Sequence, residues 1–382
     1  MTFRRIAATL GIFALVTAGC TGESGEGGEG DCFVGVSWNN FQQPRWAAKD
    51  QPNLQQTVED GGGTYTDADA NLDTEQQLTD VESMIGQGID VLVLLAQDTT
   101  VIQPALDAAA EADVPVIAYD RLIEDESVLY ITFDNVGVGE AEAEAMFEAV
   151  PEGTYVLIKG DPGDPNASTF LPQGWDNAGL QDKIDSGEIE IFADQFTDAW
   201  DTATAQDNME AIIDDANDQG VQIDAVLAEN DSTALGVVAA LQAKSYDPIP
   251  VSGQDGDTAN LQNVAKGLQY VDVWKDANEL GKVAGAAALG LCEGTPMAEL
   301  TIPEGLINES VAPLEGLTAA PFTTPGPDGM PDSGDENTVT SFILQPQPIT
   351  DENLDLIIDS GWLTQEELCE GVDAASAPPA CQ

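Results

Sequence analysis

Short runs of valine, isoleucine and leucine alternate along this chain with longer stretches whose apolar residues recur at helical spacing. Residues 33–37 read as a buried strand, 52–59 as a helix and 64–67 as a short strand. Residues 73–86 carry Leu78, Val81 and Ile85 on one helical face, and 89–95 are apolar except for Asp90. A helix over 101–112 and a strand over 114–119 follow. The rhythm restarts after Asn135, with helices at 137–149, 171–186, 202–218, 231–243 and 258–266. Strands at 154–159, 189–194, 223–228, 249–252 and 269–273 fall between and after them. Near-continuous apolar strands separated by helices predict parallel sheets covered on both faces. Two such runs in succession predict two similar α/β lobes. Residues 316–341, rich in Pro, Gly and Asp, read as a surface excursion, and 351–368 as a closing helical piece.

The first residues change the compartment. Arg4 and Arg5 precede an apolar stretch from Ile6 to Val16, too short to span a bilayer, and Thr17-Ala18-Gly19 supplies small residues before Cys20. This arrangement resembles a bacterial lipobox, with Thr17 in place of the usual Leu, and predicts a signal peptide at 1–19 and a lipidated Cys20. An ordinary secretory signal cleaved nearby is the alternative. Residues 20–31, mostly Gly, Glu and Ser, read as a flexible tether.

Eleven Lys and Arg face 69 Asp and Glu, a formal net charge of −58. Such a surface repels nucleic acid and anionic lipid, so a nucleic-acid partner is not expected. With no His in the chain, His-based triads and His metal sites are excluded. Setting Cys20 aside leaves Cys32, Cys292, Cys369 and Cys381, an even set that in an exported chain favours two disulfides over a metal site.

Ligands of open α/β sheets bind beyond the carboxyl ends of the strands. The unusual polar residues fall there: Asp120 and Arg121, Asp164 and Asn166, Trp200, Asn230 and Asp231, Asp255, and Lys275. They sit within Ile117-Ala118-Tyr119-Asp120-Arg121, Asp164-Pro165-Asn166, Asp194-Gln195 to Trp200, Asn230-Asp231, Ser252-Gly253-Gln254-Asp255 and Val273-Trp274-Lys275, to which Arg45-Trp46 and Phe133-Asp134-Asn135 are added. In these segments, over roughly residues 33 to 370, the chain resembles the pentose-binding branch of the type I periplasmic binding proteins, the xylose-binding proteins in particular. The resemblance implies two Rossmann-like lobes joined by three hinge strands, closing on one sugar. It also implies a monomer that delivers a monosaccharide, xylose or glucose, to an ABC permease in the membrane without a cofactor.

The expected lobes are 32–136 with 276–310, and 137–275 with 311–350, followed by a tail at 351–382. Strands run toward the cleft and helices away from it. Cys32, opening the first strand, and Cys292, ending the helix after Lys275, should therefore meet at the outer pole of the first lobe. Cys369 and Cys381 would then close a small loop. Cys292–Cys369 with Cys32–Cys381 stays open as the alternative pairing.

The residue chemistry suits a sugar. Asp120, Asp164 and Asp255 would accept from hydroxyls, Arg45, Arg121 and Lys275 would donate, and Asn166 and Asn230 would do both. Trp46 and Trp200 would stack on the two sugar faces. Each has a plainer reading: the Asx residues as caps and turns, the tryptophans as core. Asp231 is expected to cap the following helix while Asn230 faces the ligand, and Asp134 and Asn135 are expected at the hinge. Asp120 beside Arg121, and Asp164 near Asn166, are expected to stay ionised, unlike a glycosidase acid. A sugar-responsive repressor would need a basic helix-turn-helix in place of the leader. A sensor that hands sugar to a signalling receptor remains open. Gly61-Gly62-Gly63 lacks the strand-to-helix GxGxxG of a nucleotide site. The acidic loop 325–337 is a candidate for calcium but lacks the EF-hand order of ligands, so no metal site is assigned.

Overall fold

The computed structural model describes residues 32–303, 305–307, 319–323 and 338–382. The leader, Cys20, the tether and the candidate calcium loop lie outside the described residues. The first lobe alternates β1 (Phe33–Trp38), α1 (Gln51–Asp60), β2 (Thr64–Asp69), α2 (Thr74–Gln87), β3 (Val91–Leu94), α3 (Gln103–Glu111), β4 (Val116–Tyr119) and β5 (Val128–Phe133). The second contains α4 (Asn135–Ala149), β6 (Gly153–Lys159), α5 (Leu171–Asn177), α6 (Leu180–Ser186), β7 (Ile189–Phe196), α7 (Thr202–Gln219), β8 (Ala225–Ala228), α8 (Asp231–Ala243), α9 (Thr258–Lys266) and β9 (Asp272–Trp274). The chain then runs through α10 (Ala277–Cys292), β10 (Ala320–Thr323), β11 (Thr338–Leu344), β12 (Gln347–Ile349), α11 (Asp355–Asp359) and α12 (Gln365–Leu368).

The first sheet has the order β10-β11-β5-β4-β3-β1-β2, parallel except for β10. The second runs β7-β6-β8, extends through a parallel bridge from Val226 to Val251, and reaches β9 and its antiparallel partner β12 through Gln254 and Val273. In both sheets the first strand of the lobe lies between the second and third, the arrangement that opens a crevice at the carboxyl ends. Three passages between lobes follow: after β5, after β9 and after β11. The type I fold is thus realised as expected. Apolar clusters cover both faces of each sheet: Val34, Val36 and Leu54 on one side of the first, Leu92 and Leu106 on the other. Gly281 and Gly285 of α10 bring it close against α1, because a Cβ there would lie 2.7 Å from the Asp50 carbonyl or 2.8 Å from Thr57.

Several expectations need correction. Residues 128–133 form a strand that the alternation did not predict. β5 follows β4 without an intervening helix, and its fully buried Val-Leu-Tyr-Ile-Thr-Phe run was the available signal. The stretch 311–350 does not belong wholly to the second lobe. β11 pairs with β5 and β10 with β11, so both extend the first sheet, and only β12 joins the second. The helix expected at 171–186 is broken at Gly179, which adopts φ 102°. The closing piece is two short helices rather than one, packed with Trp362 and Leu363 on Leu261, Val264 and Trp274 of the second lobe. Cys32 is bonded to Cys292 and Cys369 to Cys381, with Cα–Cα separations of 5.7 and 5.5 Å. No helix among the described residues is long and apolar enough to cross a membrane.

Candidate functional site

All ten residues proposed from the sequence border one narrow cavity between the lobes, of about 20 Å³, together with Gln43 and Gln254. Arg45 and Trp46 come from the loop and short π-helical turn after β1. Asp120 and Arg121 follow β4, Asp164 and Asn166 follow β6, and Trp200 follows β7. Asn230 follows β8, Asp255 the bridged segment around Val251, and Lys275 β9. Parallel strands place all these chain ends on one side of each sheet, and the two sides face each other.

The charges are paired, but not as neighbours in sequence. Arg45 forms a two-point pair with Asp50, Nη2 to Oδ1 at 2.9 Å and Nε to Oδ2 at 3.2 Å, and Tyr119 donates to the same carboxylate at 2.7 Å. The other guanidinium nitrogen, Nη1, reaches Asp255 Oδ1 at 2.9 Å and lies 3.5 Å from Asp120 Oδ2. Lys275 Nζ meets the same Asp255 oxygen at 3.0 Å. Burial alone would raise the Asp255 pKa, yet Lys275 and Arg45 together hold it below the usual carboxylate range.

Arg121 pairs with Asp164, Nε to Oδ2 at 2.8 Å, and its Nη1 donates to the carbonyls of Ala96 and Gln97. The expected Asp120–Arg121 partnership is therefore replaced by Asp120–Arg45 and Arg121–Asp164. Asp120 takes φ 63°, which turns consecutive side chains to different partners. Burial pushes the Asp164 pKa up despite Arg121, so this carboxylate is less firmly ionised than its sequence neighbours suggested.

The two tryptophans are held by different means. Trp46 Nε1 donates to Gln43 Oε1 at 2.7 Å, and the Arg45 guanidinium lies 4.1 Å from the ring centroid. Trp200 donates to Asp164 Oδ2 at 3.2 Å and stands on Gly160, where a Cβ would lie 2.2 Å from the indole. Ala199 and Trp200 both adopt left-handed backbone, φ 57° and 56°, with the Ala199 N–H held by Asp161 Oδ2 at 2.6 Å. With Asp120 and with Asp255 at φ 114°, three cavity residues carry a conformation costly for non-glycine residues.

Asn230, not Asp231, caps α8. Its Oδ1 accepts from Thr233 N at 3.0 Å, and Thr233 answers through its hydroxyl. The Asn230 side chain therefore caps the helix and also borders the cavity. Asp231 lies fully buried beneath, accepting from Asp257 N at 2.7 Å, and burial together with the neighbouring carboxylates pushes the pKa of Asp231 and of Asp272 well above the usual carboxylate range. Asp134 caps α4 through Gly137 N, and Asn135 donates to Asn166 Oδ1 at 3.0 Å at the first lobe crossing.

Gln43, Gln254 and Asp50 were missed as site residues. Gln254 stood inside a quoted segment, whereas nothing local marked Asp50 as the anchor of Arg45. Gln254 Oε1 and Asp120 Oδ2 are buried without a hydrogen-bond partner in the protein, acceptors suited to a polar ligand. Among the described residues no cluster of three or more metal-ligating side chains is found.

The geometry agrees with the comparisons. The model of the periplasmic binding protein domain matches residues 34–296. The D-xylose-binding periplasmic protein of Escherichia coli (strain K12) is 35% identical over 276 residues, 72% of this chain and 82% of the relative. The protein of the same name from Haemophilus influenzae is 35% identical over 263 residues, 68% of this chain and 77% of the relative. Among solved structures, an ABC transporter solute-binding protein from Clostridium phytofermentans with bound β-D-glucose aligns with TM-score 0.74 at 30% identity, covering 88% of this chain and 99% of the other. With its two doubly wound lobes and a polar cavity between them, this chain belongs to the periplasmic binding proteins of type I fold.

Proposed function

We propose that this protein captures one monosaccharide between its lobes, D-xylose foremost, and delivers it to an ABC permease. The observation that carries this reading is the cavity itself. Three cations and three carboxylates converge with amide side chains on a space bordered by two indoles, the complement of a ring of hydroxyls with apolar faces. The names of the relatives support xylose. Glucose is the second reading, favoured by the glucose bound in the Clostridium structure. A protein that binds several sugars, or one that presents its sugar to a signalling receptor, would use the same cavity.

The protein acts outside the cytoplasm as a monomer, held by lipid on Cys20 to the outer face of the cytoplasmic membrane. It binds without turnover: Arg45 and Lys275 hold the Asp255 carboxylate ionised, the opposite of the protonated carboxyl that a glycosidase acid needs. Incubation with xylosides should release no xylose.

Calorimetric titration with xylose, glucose, ribose, arabinose and galactose tests the ligand. D-xylose should bind with a Kd near or below the micromolar level, about −8 kcal/mol or better. If neither xylose nor glucose raises the melting temperature at millimolar concentration, the assignment is wrong.

A further inference from the structure

Lys49 and Trp362 meet across the cleft, outside the sugar cavity. Lys49 lies in the π-helical turn that carries Trp46, and the helix after it, α1, is anchored in the first-lobe core through Leu54 and Val58. Trp362 lies between α11 and α12, packed with Trp274, Leu261 and Val264 of the second lobe. Lys49 Nζ donates to the Trp362 carbonyl at 2.9 Å and sits 4.2 Å from the centroid of its indole ring. Trp362 is 4% exposed and Lys49 is half-buried, so this contact is partly shielded from water.

The same indole also touches the ligand loop. Trp362 Nε1 donates to the carbonyl of Gly256 at 2.7 Å, and Gly256 follows Asp255 directly. Gly256 adopts φ 85° and a Cβ there would lie 2.3 Å from Trp274, so its carbonyl has little freedom to seek another donor. Trp274 in turn packs edge-on against Trp362, centroids 5.5 Å apart. The segment bearing Trp362 is itself tied down. Gln262 of α9 donates to the Glu367 carbonyl, and Cys369–Cys381 closes the end of the chain.

We infer that the C-terminal segment is an interlobe latch, in which Trp362 holds the Asp255 loop with its indole N–H and receives Lys49 from the other lobe only when the lobes are closed. Lys49 and Trp362 are positioning residues. They touch neither the cavity nor its ligand, and they set how long the closed state lasts. Burial lowers the Lys49 pKa, with Asp276, Glu367 and Asp257 opposing, which fits an ammonium removed from water by the closed arrangement. The inference rests on the sugar-binding reading for its kinetic readout.

The test uses the full chain with Lys49→Met, which keeps the stem and removes the charge, and Lys49→Arg, which restores a cation. With the tightest-binding sugar of the panel, the dissociation rate of Lys49→Met should rise about fivefold to thirtyfold while association changes little. Its preference among sugars should stay within about twofold of wild type, and Lys49→Arg should recover most of the loss. An unchanged dissociation rate, or an altered sugar preference, overturns the latch. If no sugar binds the wild type, the ligand reading fails and X-ray scattering of the sugar-free proteins decides the latch. A larger radius of gyration in Lys49→Met supports it, and identical profiles overturn it.

Discussion

Asp255 of the second lobe accepts from Arg45 of the first, Nη1 to Oδ1 at 2.9 Å, across 210 residues of sequence. This ion pair closes the cavity at one corner and joins the lobes directly. The other contacts of Arg45, the two-point pair with Asp50, stay within its own lobe.

Replacing Asp255 by Asn should therefore weaken sugar binding far more than it weakens the fold. Arg45 keeps Asp50, whereas Lys275 loses its one ion-pair partner among the described residues, and the ligand loses an ionised acceptor. Truncating one member of a buried charge pair costs about 2–5 kcal/mol, so calorimetry should show affinity reduced by roughly 30-fold or more. Affinity within a factor of two of wild type would remove Asp255 from the ligand contacts.

Gly160→Ala should act through Trp200 without touching a charge. The added methyl would sit 2.2 Å from the indole, so the ring must leave its place against Gly160. Binding should weaken by about tenfold or more, with a changed tryptophan emission spectrum and a smaller loss of melting temperature. Retained affinity with an unchanged spectrum would show that the ring position is unimportant.

Stability should rise as the solution is acidified from about pH 8 to about pH 5. Burial first of all pushes Asp50 up to about 6, and Asp257 and Asp276 up to about 7. A raised folded-state pKa means the native state keeps a proton that the unfolded chain has released. Stability from these groups is present below the unfolded value of about 4 and is lost as pH rises through the folded values. Asp255 has the opposite sign: its contribution is present above the unfolded value and disappears only below the usual carboxylate range. Melting curves should thus shift upward by several degrees toward about pH 5 while sugar binding persists. A lower melting temperature at pH 5 than at pH 8 would contradict this.

The two disulfides should differ in weight. Cys32–Cys292 spans 260 residues and ties β1 to the end of α10, whereas Cys369–Cys381 spans 12. Replacing the first pair by Ser should cost roughly 3–5 kcal/mol in denaturant unfolding, and the second about 3 kcal/mol or less. A larger loss from the short loop would indicate that native packing, not chain entropy, sets the effect.

Much of this was legible in the sequence because it is local or periodic. Near-continuous apolar strands separated by helices specify a doubly wound sheet, and the polar residues just after its strands include eight of the side chains around the cavity, while Arg45 and Trp46 were marked only by the family resemblance. Even the Cys32–Cys292 bond followed from the direction in which strands and helices run. What stayed hidden depends on contacts between distant segments. β10 and β11 fall within or just beyond the Pro-, Gly- and Asp-rich stretch 316–341, and only pairing along the open edge of β5 made them part of the first sheet. Asp120 and Arg121 looked like partners because they are adjacent, but a left-handed backbone at Asp120 sends one to Arg45 and the other to Asp164. Asp50 became the anchor of Arg45, and Trp362 the neighbour of both Gly256 and Lys49, through packing that no spacing announces. Which strand ends reach the cleft is written in the hydrophobic pattern, although Gln43 and Gln254 beside them were not marked. Tertiary structure alone decided which charge meets which, because ion pairing follows distance in space and side-chain direction rather than order along the chain.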